Sequence, residues 1–156
     1  FKTPCLDGVP LPTRDILHVC LEYGTGQKYN MLVNHHPSKY GGADLSDGRR
    51  NAVMSAMKEM CDSLQSDDPS IPIIAMGDFN DTPISYVYQQ MGKRLECAWR
   101  ENGQGIGLSY NQMGFFVRID HIFHSSDWVS YKTRIDNKIE LSDHYPLHTF
   151  LRRKPN

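Results

Sequence analysis

A continuous apolar run, Ile71 to Met76, ends on Gly77-Asp78-Phe79-Asn80-Asp81. An unbroken run of this length is the pattern of a strand covered on both faces, so it demands layers on either side. Gly77 permits a sharp exit, and Asp78 and Asn80 alternate past Phe79, so both can face one point. A carboxylate and an amide oxygen are hard ligands that suit Mg²⁺ or Mn²⁺. The same residues also suit an Asp/Asn turn that holds its own backbone, so the motif does not decide by itself.

Around this run the chain reads as strands mixed with helices. Phe1 to Thr13, with Pro4, Pro10, Pro12 and Gly8, is expected to be an irregular arm. Ile16 to Leu21 and Tyr29 to Val33 are strand-length runs joined by Tyr23-Gly24-Thr25-Gly26, which predicts a hairpin. From Ser46 to Ser66, Val53, Met57, Met60 and Leu64 recur at helix spacing with Met54 and Cys61 alongside. Those methionines are expected in the core, and Asp67-Asp68-Pro69-Ser70 ends the helix. Residues 84–91 suit a short helix, and the glycines between Asn102 and Gly107 mark a loop. Val117 to Phe123 alternates, with Val117, Ile119, His121 and Phe123 on one face. Trp128 to Ile135 and Leu147 to Arg152 complete the strands, and the expected class is α/β rather than a pure sandwich.

At 156 residues the chain suits one domain. Lys+Arg 17 against Asp+Glu 18 gives a net charge of −1, which argues against a basic face that grips long nucleic acid. One basic pocket for a small phosphate ester still fits inside that total. The four cysteines, Cys5, Cys20, Cys61 and Cys97, form no CxxC pair and hence no zinc knuckle. No apolar run nears the ~18 residues of a membrane span, and the start does not read as a signal peptide. The opening on Phe1 rather than Met predicts that the natural amino terminus lies upstream.

Three more segments put polar residues beside strands. Asn34-His35-His36-Pro37-Ser38-Lys39 follows the strand ending at Val33. Adjacent histidines on extended backbone point opposite ways, so at most one faces a given site. Ser142-Asp143-His144-Tyr145-Pro146 precedes the last strand and sets a carboxylate next to an imidazole that titrates near neutrality. In Arg118-Ile119-Asp120 the acid is expected mid-strand, on the face of Arg118 and Ile122, where a buried carboxylate needs a partner. A histidine there would be fixed in tautomer and stabilised as imidazolium, whereas Arg118 or Arg14 would make a structural ion pair.

Taken in order, Asn-His-His-Pro-Ser, Gly-Asp-Phe-Asn, Arg-Ile-Asp-His-Ile-Phe and Ser-Asp-His-Tyr-Pro resemble the endonuclease/exonuclease/phosphatase superfamily. DNase I, apurinic endonucleases, neutral sphingomyelinases and inositol polyphosphate phosphatases are among its members. The resemblance runs from about Thr13 to Phe150. It implies a DNase I-like four-layer α/β/β/α sandwich, of which residues 1–156 form a partial domain, roughly the carboxy-terminal half. It also implies a metal-dependent phosphohydrolase, using Mg²⁺ or Mn²⁺, that cleaves a phosphodiester or phosphomonoester by direct water attack. On this resemblance Asp78 and Asn80 hold the metal and the nucleophilic water, and Asp143 is a metal-side carboxylate. His144 binds the scissile phosphate or acts as general base, Asp120 orients it, and His35 contacts phosphate. The substrate would be a phosphate ester of nucleic acid, lipid headgroup or sugar. The chemistry needs this mixture, because an anionic phosphodiester repels hydroxide until cations neutralise its oxygens.

The family's amino-terminal Asn motif and the Glu that is its principal Mg²⁺ ligand have no counterpart here. Glu22 is the only Glu before His35, and it ends a strand. The amino-terminal half is therefore expected outside this sequence, and the chain alone is expected to have little or no activity. Its sheet is expected to present an apolar face, with Ile73, Ala75, Ile119 and Phe123, for a second copy or a cleaved amino-terminal piece to cover. Trp99, Tyr110, Phe115 and Phe116 suit either a substrate cleft or a loop folded back onto the core. The alternative from another class is a non-catalytic binding or interaction module. A zinc hydrolase built on His35, His36, His121 and His144 lacks any HExxH spacing.

Overall fold

The computed structural model describes residues 1–24, 26–39, 42–112 and 116–155, without the side chains of residues 43–45. The arm is less irregular than expected: β1 (Cys5–Leu6) and β2 (Val9–Pro10) pair about a tight turn at Asp7 and Gly8. β3 (Leu17–Tyr23) and β4 (Gln27–His35) form the expected hairpin. The long helix α1 (Ala43–Asp67) then carries the chain back, so β5 (Ile73–Asp78) lies parallel to β4. It stops where Asp68 turns extended, and the Asp68 carboxylate accepts from Ser70 N at 2.9 Å.

After α2 (Tyr86–Met91) come two short elements that no periodicity announced, β6 (Glu96–Cys97) and α3 (Ala98–Asn102). β7 (Asp120–His124) pairs antiparallel with both β5 and β6, completing a five-stranded sheet in the order β3-β4-β5-β7-β6. β8 (Trp128–Ile135) and β9 (Leu147–Arg153) form a separate antiparallel pair. Asp120 opens β7 rather than lying mid-strand, because Val117 makes only an isolated bridge to Tyr110. No described helix is long and apolar enough to cross a membrane.

One face of the sheet is dry. Leu32, Ile73, Ala75 and Phe123 lie buried against Val53, Met54 and Met57 of α1 and Val87, Tyr88 and Met91 of α2. Met60 and Leu64 complete the expected stripe of α1 from its margin. Burial of this set supplies the main driving force for the fold, at about 25 cal/mol per Å² of apolar surface.

The other face differs from the expectation. Ile73, Ala75, Ile119 and Phe123 are all buried, so they are not the uncovered surface. Parity assigns that role to the alternate residues, Leu17, Val19, Met31, Val33, Met76 and Ile122, which the strand register sets together and which remain half-buried. At one end of this face Trp128 of β8 meets Tyr29 edge-on, with ring centroids 6.0 Å apart. At the far end of β7, Glu101 accepts from His124 Nε2 and from Ser130 N, tying α3 and β8 over the sheet.

Candidate functional site

Register alone brings three expected residues into one row. His35 pairs with Asp78 across β4 and β5, and Asp78 pairs with Asp120 across β5 and β7. All three stand on the face away from the helices, at the end where the chain leaves the sheet. Gly77 makes the approach possible. A Cβ there would lie 1.9 Å from Asn34 O, and its φ of +140° suits glycine alone.

The fourth residue comes from the segment before β9. His144 Nδ1 is 2.7 Å from Asp120 Oδ2, and its Nε2 is 3.9 Å from Asp78 Oδ2. From the other side, His35 Nε2 is 3.4 Å from the same Asp78 oxygen. Asn80 folds over Asp78, its backbone N donating to Oδ1 at 2.7 Å and its Nδ2 to Oδ2 at 2.8 Å. The second Nδ2 hydrogen goes to His36 O at 2.9 Å, so Asn80 Oδ1 is the atom left to offer a metal or a water. Asn80 holds a left-handed backbone, φ 47°.

The charges follow from this packing. Burial pushes the Asp78 carboxyl up to about 6, and the neighbouring Asp120 adds to the rise while the Asn80 N–H, His144 and Arg14 oppose it. His144 is raised above 6.5, chiefly by its hydrogen bond to Asp120, against a burial penalty. His35 is lowered by burial and by the positive charges of Arg14 and His144. The site therefore holds one carboxyl that resists ionising beside one imidazole that favours its charged form.

His36 and His121 lie off the site, as their opposite parity to the neighbouring His35 and Asp120 requires. His36 points under the sheet, fully buried against Phe79 with ring centroids 4.9 Å apart, and burial lowers it to about 3. His121 is likewise buried and donates Nε2–H to Asp81 O at 2.9 Å. A zinc centre from His35, His36, His121 and His144 is thus ruled out by strand parity. Asp120 takes the histidine and not an arginine. Arg118 donates to Ile106 O and lies 5.1 Å over the Trp99 ring.

Asp143 is exposed, accepts from Ser142 Oγ at 3.0 Å, and is not gathered onto Asp78. Among the described residues one trio of ligand atoms lies within 4.8 Å, Glu96, Glu101 and His124. It sits at the opposite end of β7, where Ser130, Ser125 and the pair itself already engage its donors and acceptors. Trp99 is buried, Tyr110 sets its ring 5.1 Å from that of His144, Phe116 is exposed, and Phe115 lies outside the described residues. The aromatics therefore divide between core and rim.

Ser109 was missed by the sequence reading. Its buried hydroxyl accepts from Ile119 N and Asp120 N, both at 3.2 Å, while its carbonyl accepts from Tyr145 N at 2.7 Å. It thereby sets the two backbones that carry Asp120 and His144. A serine in a glycine-rich loop carries no signal of such a role.

A divalent cation fits the donors present. Asp78 is a carboxylate with side-chain exposure of only 12%, whose ionisation a nearby cation would favour, and Asn80 Oδ1 is uncommitted. Hard oxygen donors of this kind suit Mg²⁺ or Mn²⁺.

Solved structures share this architecture. The catalytic domain of human nocturnin, with bound sulfate anion, has a TM-score of 0.74 at 17% identity over 98% of this chain and 57% of that one. A functionally unknown conserved protein from Enterococcus faecalis gives 0.69 at 19% identity over 94% and 58%. A mannosyl-6-phosphatase from Bacteroides thetaiotaomicron gives 0.65 at 20% identity over 82% and 52%. These likenesses show a DNase I-like fold, and the chain spans less than two thirds of each of those proteins. No curated protein sequence matches it. The sequence pattern of the Endonuclease/Exonuclease/phosphatase family matches residues 6–130, well over half of the chain, and the chain therefore belongs to the endonuclease/exonuclease/phosphatase family.

Proposed function

We propose that this chain carries the acid–histidine half of a metal-dependent phosphohydrolase that cleaves a phosphodiester or phosphomonoester by direct attack of water. The observation that carries this reading is the Asp120–His144 pair at 2.7 Å, set over a buried Asp78 and its Asn80 cover. A structural ion pair needs neither the histidine nor the row of three polar strand ends.

Asp120 fixes the His144 tautomer and favours its imidazolium, so Nε2–H is presented to a phosphate oxygen. His35, on the opposite flank of Asp78, contacts the same phosphate and steadies the charge that develops on it. Asp78 and Asn80 position the water, which attacks phosphorus and passes a proton to the Asp78 carboxylate. The leaving oxygen departs with the electron pair of its broken bond and is protonated by solvent, with no covalent enzyme intermediate. Asp78 and Asn80 would hold Mg²⁺ or Mn²⁺, with the exposed Asp143 of the neighbouring segment as a carboxylate on the outer, metal side. When bound, the ion supplies charge neutralisation at the phosphate oxygens. The substrate class is a phosphate ester of nucleic acid, lipid headgroup or sugar. The near-neutral charge favours a small ester over a long duplex.

The half-buried face of Leu17, Val19, Met31, Val33, Met76 and Ile122 supports a partner for the sheet. We assign that role to a further segment of the same family domain, or in its absence to a second copy. The same face is what favours the second reading, a non-catalytic interaction module. Hydrolysis of bis(p-nitrophenyl) phosphate by the full-length polypeptide, with and without chelator, tests the enzyme reading. Absence of metal-dependent turnover there would leave the interaction module as the better account.

A further inference from the structure

We infer that Arg50 is a positioning residue: acting through Asp81, it locks the loop of Asp78 and Asn80 onto the segment of His35 and Lys39. The inference rests on the proposed phosphohydrolase reading for its purpose, and on the following contacts for its substance. Arg50 lies on α1 and is 1% exposed, among the most deeply buried large side chains in the protein. Its Nε donates to Asp81 Oδ2 at 3.3 Å, and its Nη1 donates to Ser46 Oγ at 2.8 Å. Nη2 reaches Asp47, one turn earlier on the same helix. The guanidinium is thus held by its own helix and aimed at one carboxylate.

Asp81 receives three elements at once. Lys39 Nζ is 2.6 Å from Oδ1, Arg50 holds Oδ2, and His121 of β7 donates to the backbone carbonyl at 2.9 Å. Anchors on both carboxylate oxygens and on the carbonyl fix this residue in position and orientation. One peptide away stands Asn80, whose left-handed backbone is a conformation that a non-glycine residue keeps only when its surroundings over-determine it. Asn80 in turn donates to Asp78 and to His36 O, so the two segments bearing His35 and Asn80 are tied to each other.

Stability alone does not account for a buried ion pair at this point. A well-packed apolar pair of equal volume commonly serves a helix-to-loop contact as well or better. What an apolar pair lacks is direction, and direction is what the Asn80 amide needs. Neither Arg50 nor Asp81 reaches the reacting atoms in this geometry, so their effect passes through Asn80 and His35.

The test is backbone and side-chain NMR on the 156-residue chain. The double variant Arg50→Met/Asp81→Asn nearly keeps the volume and removes the ion pair that sets the direction. The expected result is a folded protein, with β5 and β7 amide shifts retained. Asn80 should lose its left-handed coupling signature and the contact between its side-chain amide and His36. Arg50→Lys should restore part of that signature, because it keeps a charge without the fork. If the double variant does not fold, Asp81→Asn provides the same readout at constant size. A folded variant with the Asn80 signature and the His36 contact intact would overturn the inference. The readout uses no substrate, so failure to cleave phosphoesters counts against the proposed activity and leaves this anchor standing.

Discussion

Asp120 and His144 are 24 residues apart in sequence and 2.7 Å apart in space, joined through Oδ2 and Nδ1. The bond is the main reason that His144 titrates above 6.5, ahead of the nearby charge of Asp78. Because the folded value is raised, its contribution to stability is complete below 6.5 and is lost as pH rises through the folded value. Asp120→Asn should lower the His144 titration point and remove that pH-dependent stability. An NMR titration of the His144 ring that leaves its midpoint unmoved in the variant would contradict the assignment.

In a full-length form that hydrolyses phosphoesters, His144→Ala should reduce turnover on the order of 10²–10⁴-fold, the scale of a positioned acid–base or oxyanion group. Near-normal turnover in steady-state kinetics would remove His144 from the machinery.

Metal binding should depend on pH through Asp78. Its folded value is raised to about 6 from 3.8, so protonation favours the folded state and that advantage fades as pH rises through about 6. A cation must displace this proton. Mn²⁺ affinity, measured by calorimetry, should therefore weaken as pH falls through about 6, and Asp78→Asn should abolish both the binding and its pH dependence. Unchanged affinity in Asp78→Asn would place the ion elsewhere.

Gly77→Ala should destabilise the chain by roughly 3 kcal/mol or more, since the new methyl meets the Asn34 carbonyl and the backbone is left-handed. Denaturant unfolding would show it. A variant as stable as the parent would mean that β4 and β5 are paired in another register.

The half-exposed sheet face should make the isolated chain associate. Light scattering is expected to report a dimer or larger species, and Val19→Lys with Met31→Lys should shift it toward monomer. A monodisperse wild-type monomer would show that the face is tolerated in water.

The strands and the long helix were legible because their apolar patterns are long and clean. Ile73 and Ala75 of the run at Ile71–Met76, and the stripe of α1, landed in the core. Parity gave the divergence of His35 and His36 from two letters of sequence. It failed at the uncovered face, because a strand buried on one side and half-buried on the other shows apolar residues at both parities. Ile73 and Met76 look alike in one dimension and lie on opposite faces in three. Elements of two and five residues, β6 and α3, are too short for a period and owe their form to tertiary contacts. The resemblance picked out His35, Asp78, Asn80, Asp120 and His144, which lie side by side, and Asp143, which stays exposed. The contacts of Ser109, Arg50 and Asp81 come instead from geometry that no local motif encodes.

The opposed histidines at the end of β4, His35 within it and His36 just beyond, have a consequence for how this strand can vary. Inserting or deleting a single residue within it would turn His36 toward the carboxylates and drive His35 beneath α1. The incoming ring would be near the right place, yet every apolar neighbour behind it would be inverted too. Changes of two residues preserve the handed alternation and would be felt only as a shift along the strand. Which imidazole faces Asp78 is thus set by whether a residue count is odd or even.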